Sequence, residues 1–180
     1  MANLVLQPTQ TAQWHALVNE AQFAIHRELG EMLESYLVFL LMRFIQKPTI
    51  ASTILASEYI EGLKSHGHLQ FDKLRDVGDQ CLLFSGLFPG RAHKKRVKLT
   101  YFVDIGRSAY DVLANTTTHH NNPVYAQLSQ DFIPVMEVLH AMRALDPLQE
   151  PSFWTKAKLN TQEIWPDPAS RYQPPKFTKN

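Results

Sequence analysis

Residues 74–114 read LRDVGDQCLLFSGLFPGRAHKKRVKLTYFVDIGRSAYDVLA, and their reading decides the fold. Two apolar segments flank a short basic connector. In the first, Leu74, Val77, Cys81, Phe84 and Phe88 recur at steps of three and four, the spacing of one helix face. In the second, Phe102, Val103, Gly106, Ala109, Tyr110 and Leu113 do the same. The stretch VKLTYFV alternates weakly like a strand, but it runs better as a helix continuing into DIGRSAYDVL. Pro89-Gly90 stops the first helix. A short connector then predicts that 71–88 and 99–114 pack as an antiparallel pair.

Both segments carry a glycine where a helix favours alanine, Gly78 and Gly106. Each costs about 0.5 to 1 kcal/mol in a helix interior. Close approach of two helices offsets that cost, so the glycines predict a tight crossing. Asp79 lies beside the first glycine, and Asp104 and Arg107 flank the second. If the helices cross there, Asp79 can pair with Arg107.

Outward from this stretch, the periodicity predicts helices over 10–28, 31–46, from 49 to 62 or 64, and 123–145. Thr9 or Thr11 can cap the first, and Gly30 ends or kinks it. Segment 31–46 holds ESYLVFLLMRF and is apolar nearly all round, which predicts a central, buried helix. Lys47-Pro48 stops it. SHGHLQ reads as a loop, and NTTTHHNN as another. Asn122-Pro123 looks like a cap followed by a first-turn proline, and Pro134 should kink or split the helix it lies in. A last short helix is expected from Ser152 to Lys158. The expected fold is an all-α, single-domain bundle of about six helices over residues 1–159. An extended, Pro-rich C-terminal tail over 160–180 is expected to lie against the domain surface, because Trp165, Tyr172 and Phe177 are spaced through it.

The 180 residues carry 18 basic and 17 acidic side chains, a net charge of +1. That balance provides no global attraction to nucleic acid or to an anionic membrane. No apolar run reaches the length of a membrane span. The lone cysteine, Cys81, excludes an intramolecular disulfide framework and fits a reducing compartment. No basic leader with an apolar core opens the chain, so a cytoplasmic setting is expected.

The segments LRDVGDQCLLFSGLFP and YFVDIGRSAYDVLA, with ESYLVFLLMRF upstream, resemble an uncharacterised family of bacterial helical proteins. The likeness covers roughly residues 30–115. It implies a bacterial cytoplasmic setting and carries no catalytic residue over.

Three functions remain open on the residues alone. The first is a non-enzymatic interaction or regulatory protein whose partner is another protein or a second copy. The second is a ligand-binding protein or enzyme with a pocket between 71–88 and 99–114, its polar groups supplied by Asp79, Asp104, Arg107 and Tyr110. The third is contact with phosphate or nucleic acid through Arg91, Lys94, Lys95 and Arg96 of the connector. No nucleophile elbow, phosphate loop or paired metal-ligand motif occurs, so no catalytic residue, cofactor or metal is expected. The histidines His66, His68, His119 and His120 sit in expected loops, where they would be solvated or could chelate an ion.

Overall fold

Thr9 opens the first helix as expected: its Oγ1 accepts from the backbone N–H of Ala12 at 3.2 Å. The computed structural model describes residues 9–46, 55–88, 98–116 and 123–145. These form seven helices and, among the described residues, no strand. They are α1 (Gln10–Ala24), α2 (Glu31–Gln46), α3 (Leu55–Lys64), α4 (Gly67–Leu87), α5 (Leu99–Asn115), α6 (Pro123–Gln130) and α7 (Phe132–Ala144). None is long and apolar enough to cross a membrane. The expected cap at Thr49, the connector residues Arg91, Lys94, Lys95 and Arg96, the histidines His119 and His120, the short helix from Ser152 and the tail 160–180 lie outside the described residues.

One apolar core joins all seven helices. Its centre is α4, which corrects the placing of 31–46 there. Every residue from Val77 to Leu87 is buried. The polar and small residues among them, from Gly78 and Asp79 to Ser85 and Gly86, had hidden this burial behind a modest apolar count. Ser85 can sit there because its hydroxyl donates back to the carbonyls of Cys81 and Leu82. By contrast α2 keeps one side in water although it is apolar nearly all round.

The α4–α5 pair is antiparallel. Gly78 lies against Tyr110, Cys81 against Gly106, and Phe84 against Phe102, so contacts descend α5 as they ascend α4. The glycines open space for side chains. A Cβ at 78 would come within 2.5 Å of the Tyr110 ring, and one at 106 within 2.5 Å of the Phe132 ring.

Three boundaries differ from expectation. The first helix ends at Ala24, not near Glu28. His26, at φ +51°, turns the chain. Its N–H donates to Phe23 O, and that of Arg27 donates to Gln22 O, the paired bonds of a Schellman ending. The fourth helix starts at Gly67 rather than near Phe71, because Gly67 takes φ +61° and reverses the chain within a residue or two of α3. The expected split of the 123–145 helix falls at Asp131. Pro134 is then the third residue of α7, where its missing N–H sacrifices no intrahelical bond.

Candidate functional site

The charged group most deeply placed in the apolar core is the carboxylate of Asp79 on α4, only 2% exposed. Gly78 explains how it is reached. With no side chain at 78, the ring of Tyr110 packs directly against α4, and its hydroxyl donates to Asp79 Oδ1 at 2.8 Å. From α2, the Tyr36 hydroxyl donates to the same oxygen at 2.5 Å. Arg43, two turns further along α2, donates from Nη2 to Asp79 Oδ2 at 2.5 Å. One carboxylate thus ties α2, α4 and α5 together.

Aromatic rings surround this centre. Tyr125 of α6 stacks on Tyr110 at 6.1 Å between centroids and meets Tyr36 edge-on at 6.0 Å. Phe71 meets Tyr125 edge-on at 5.6 Å. The Arg43 guanidinium lies over the Tyr36 ring, and that of Arg75 over Phe71. Arg75 is held by Asp72 and Asp76 at 3.2 and 3.0 Å. Two arginines therefore face three aspartates, and the cluster carries no excess of positive charge.

Burial sets the electrostatics. It raises the pKa of Asp79 above the ordinary carboxylate range, against the opposing pull of Arg43 and the two phenols. Burial, reinforced by the Asp79 charge, raises Tyr36 and Tyr110 well above 10. Tyr125 is raised for the same two reasons. For Arg43, burial works against its charge, but Asp79 together with Tyr36 and Tyr110 more than offsets it, and its pKa lies above the usual guanidinium value. The phenols hold their protons through neutral pH, and both carboxylate oxygens already accept strong bonds. This is the chemistry of a clasp between helices.

Of the residues singled out in the sequence, Asp79 and Tyr110 come together. Asp104 and Arg107 do not join them: both are exposed. Arg107 turns to α6, where its Nε donates to Ser129 O while Ser129 Oγ donates to Arg107 O. The expected Asp79–Arg107 pairing is replaced by Asp79–Arg43. Tyr36 and Arg43 are the residues that sequence reasoning missed. They stand seven apart on α2, one flank of a helix, and were absorbed into its apolar surface. Tyr125, on the first turns of α6, gave no sequence signal.

Among the described residues, no group of three or more His, Cys, Asp and Glu side chains could hold a metal ion. His66 is the N-cap residue of α4 and its side chain makes no capping bond. Cys81 is fully buried, and burial alone pushes its thiol far above the ordinary value.

A second polar join ties α1 to α2. Buried Gln22 accepts from the Leu29 N–H at 2.5 Å and donates to Glu34 Oε1 at 2.8 Å. It fixes the loop between those helices and so the angle at which α2 presents its outer side. No family model, curated protein or solved structure matches the chain.

Proposed function

We propose that this protein works by holding another protein chain, a second copy of itself first among the candidates, and not by catalysis. The supporting observation is the outer side of α2. Met32, Tyr36, Phe39 and Arg43 follow one another at steps of four, three and four, which sets them along one flank of the helix. From Ser35 to Met42 there is no charged residue. Phe39 is nevertheless 58% exposed and Met32 40% exposed. Two large apolar side chains left in water on this flank, Met32 and Phe39, gain on being covered, about 25 cal/mol for each Å² removed from solvent. Such flanks mark contact surfaces. The half-exposed Arg43, steadied by Asp79, ends the row with a charge that can select among partners.

A ligand pocket between α4 and α5 has less in its favour. The Tyr110 and Phe132 rings occupy the space opened by Gly78 and Gly106, and Asp104 and Arg107 point elsewhere. Contact with phosphate through Arg91, Lys94, Lys95 and Arg96 stays a proposal resting on sequence alone. The bacterial cytoplasmic setting is likewise part of this proposal, supported by the single buried thiol.

Light scattering on the purified chain, with a pull-down from a bacterial lysate, tests the reading. The expected result is a dimer or a retained protein, lost in Phe39→Glu. A strict monomer at high concentration that retains nothing would sink it.

A further inference from the structure

The water-facing side of α2 carries a regular spacing. Met32, Ser35, Phe39, Met42 and Gln46 follow at steps of three, four, three and four. That is the repeat of a seam between two packed helices, and it sets all five along one line of α2. Met32, Phe39 and Gln46 are exposed, and Ser35 and Met42 are half-buried. Leu33, Leu37, Leu40, Leu41 and Phe44 meanwhile face the core. Met42 leans on α1, where its sulfur accepts from the Thr11 hydroxyl at 3.7 Å. A seam of this spacing fits a helix as its occupant.

The side chains select which helix. Reversed about Leu37, the seam complements itself: Phe39 meets Ser35, large against small, and Met32 meets Met42. Residues 31 and 43 are equally far from 37, so this register overlaps nearly the whole of α2. A parallel pair would instead set Phe39 on Phe39 and Ser35 on Ser35, a bulge beside a void.

Charge favours the same arrangement. The helix opens with exposed Glu31 and closes with Arg43, which keeps 37% of its side chain in water while bonded to Asp79. Antiparallel packing brings the acidic end of each helix level with the basic end of the other and opposes their dipoles, whereas parallel packing puts like ends together.

We infer that α2 is the contact of a homodimer, packed antiparallel on α2 of a second copy, with Phe39 of each copy seated on Ser35 of the other and Met32 on Met42. The inference rests on the reading of this side of α2 as a contact surface, and it names the partner and the register. The Asp79 clasp holds Tyr36 and Arg43, which border the seam, and so keeps the face in one shape.

Disulfide trapping on the full chain tests it. Met32→Cys and Met42→Cys are made separately, mixed, and oxidised in the native state, where the native thiol of Cys81 is buried. The expected result is a covalent dimer in the mixture and none in either variant alone, because like positions lie about 15 Å apart along the helices, beyond the reach of a disulfide. Ser35→Trp fills the seat of Phe39 and should weaken dimerisation, read by light scattering, by about tenfold or more. Circular dichroism checks that the helices persist in each variant. Covalent dimers in each variant alone would show a parallel pair and overturn the inference. Equal trapping when Phe39→Glu is added would mean collision only and overturn it too. The two readings fail separately. A dimer with no 32–42 disulfide, or a strict monomer that retains another protein, removes this register and keeps the contact surface, whereas a strict monomer that retains nothing removes both.

Discussion

At the scale of single residues, two positions work against their intrinsic preferences. His26 takes the left-handed backbone that ends α1, where glycine is the usual occupant. A side chain there costs about 1 kcal/mol or more. His26→Gly should therefore stabilise the fold by about 1 kcal/mol, less the entropy glycine gains when unfolded, and a shift of the urea midpoint at constant slope checks it. Gly78 shows the opposite case. A methyl group there would strike the Tyr110 ring, which is locked by its bond to Asp79. Gly78→Ala should cost about 2 kcal/mol despite the better helix propensity of alanine. The glycine was visible in the sequence, but its partner was not. Periodicity reads one helix at a time, and Tyr110 approaches from another helix. Cys81 was legible more fully, since its place on the apolar face predicted burial. Its thiol should resist a disulfide reagent in the native protein at pH 8 and react once the chain unfolds.

At the scale of elements, the Asp79 clasp sets how α2 meets α4 and α5. A buried carboxylate is expensive unless its partners stay in place. Asp79→Leu would leave two buried phenols and an arginine without their acceptor, at a cost of about 3 kcal/mol. Adding Arg43→Met to that variant should restore part of the loss, because an unpaired charge goes with it. A double-mutant cycle by chemical denaturation measures this coupling, and strict additivity would mean that the bridge does not tie the helices. Most helices could be read from their spacing and caps: Thr9, Pro123 and the stop at Pro89-Gly90 sit close to where the elements begin and end. What could not be read was rank. An all-round apolar segment reads as the centre of a bundle, yet α4 takes that place because small residues let three neighbours approach it. The site was half legible for the same reason. Asp79 and Tyr110 stood out beside the glycine signal, whereas Tyr36 and Arg43 lie more than thirty residues away and meet Asp79 only through tertiary packing.

At the scale of the whole molecule, the buried ionisable groups give stability a defined dependence on pH. Tyr36 and Tyr110 have folded-state pKa values well above 10 because burial and the Asp79 charge oppose their ionisation. Their contribution is fully present below pH 10 and is lost as the pH climbs toward the folded values, since only the unfolded chain then sheds the protons. His140 acts at the other end. Burial lowers its pKa below the ordinary 6.5, against a hydrogen bond that the ring donates to the Gly86 backbone, so its contribution is present above 6.5 and declines as the pH falls. Asp79 opposes that decline. Its raised pKa means that the folded state takes up a proton more readily than the unfolded chain, so this carboxylate favours folding more as the solution is acidified. The acid side should therefore be shallow, because His140 and Asp79 pull in opposite directions, and the alkaline side steep, because the phenols of Tyr36, Tyr110 and Tyr125 pull together. Urea midpoints from pH 4 to 11.5 test this. Tyr110→Phe should be less stable than the parent at pH 7, because Asp79 loses a donor. It should also lose less between pH 9.5 and 11.5, because one of the three raised phenols is gone. An unchanged alkaline slope in Tyr110→Phe would show that the phenol is not protected by burial and that the clasp is open to solvent.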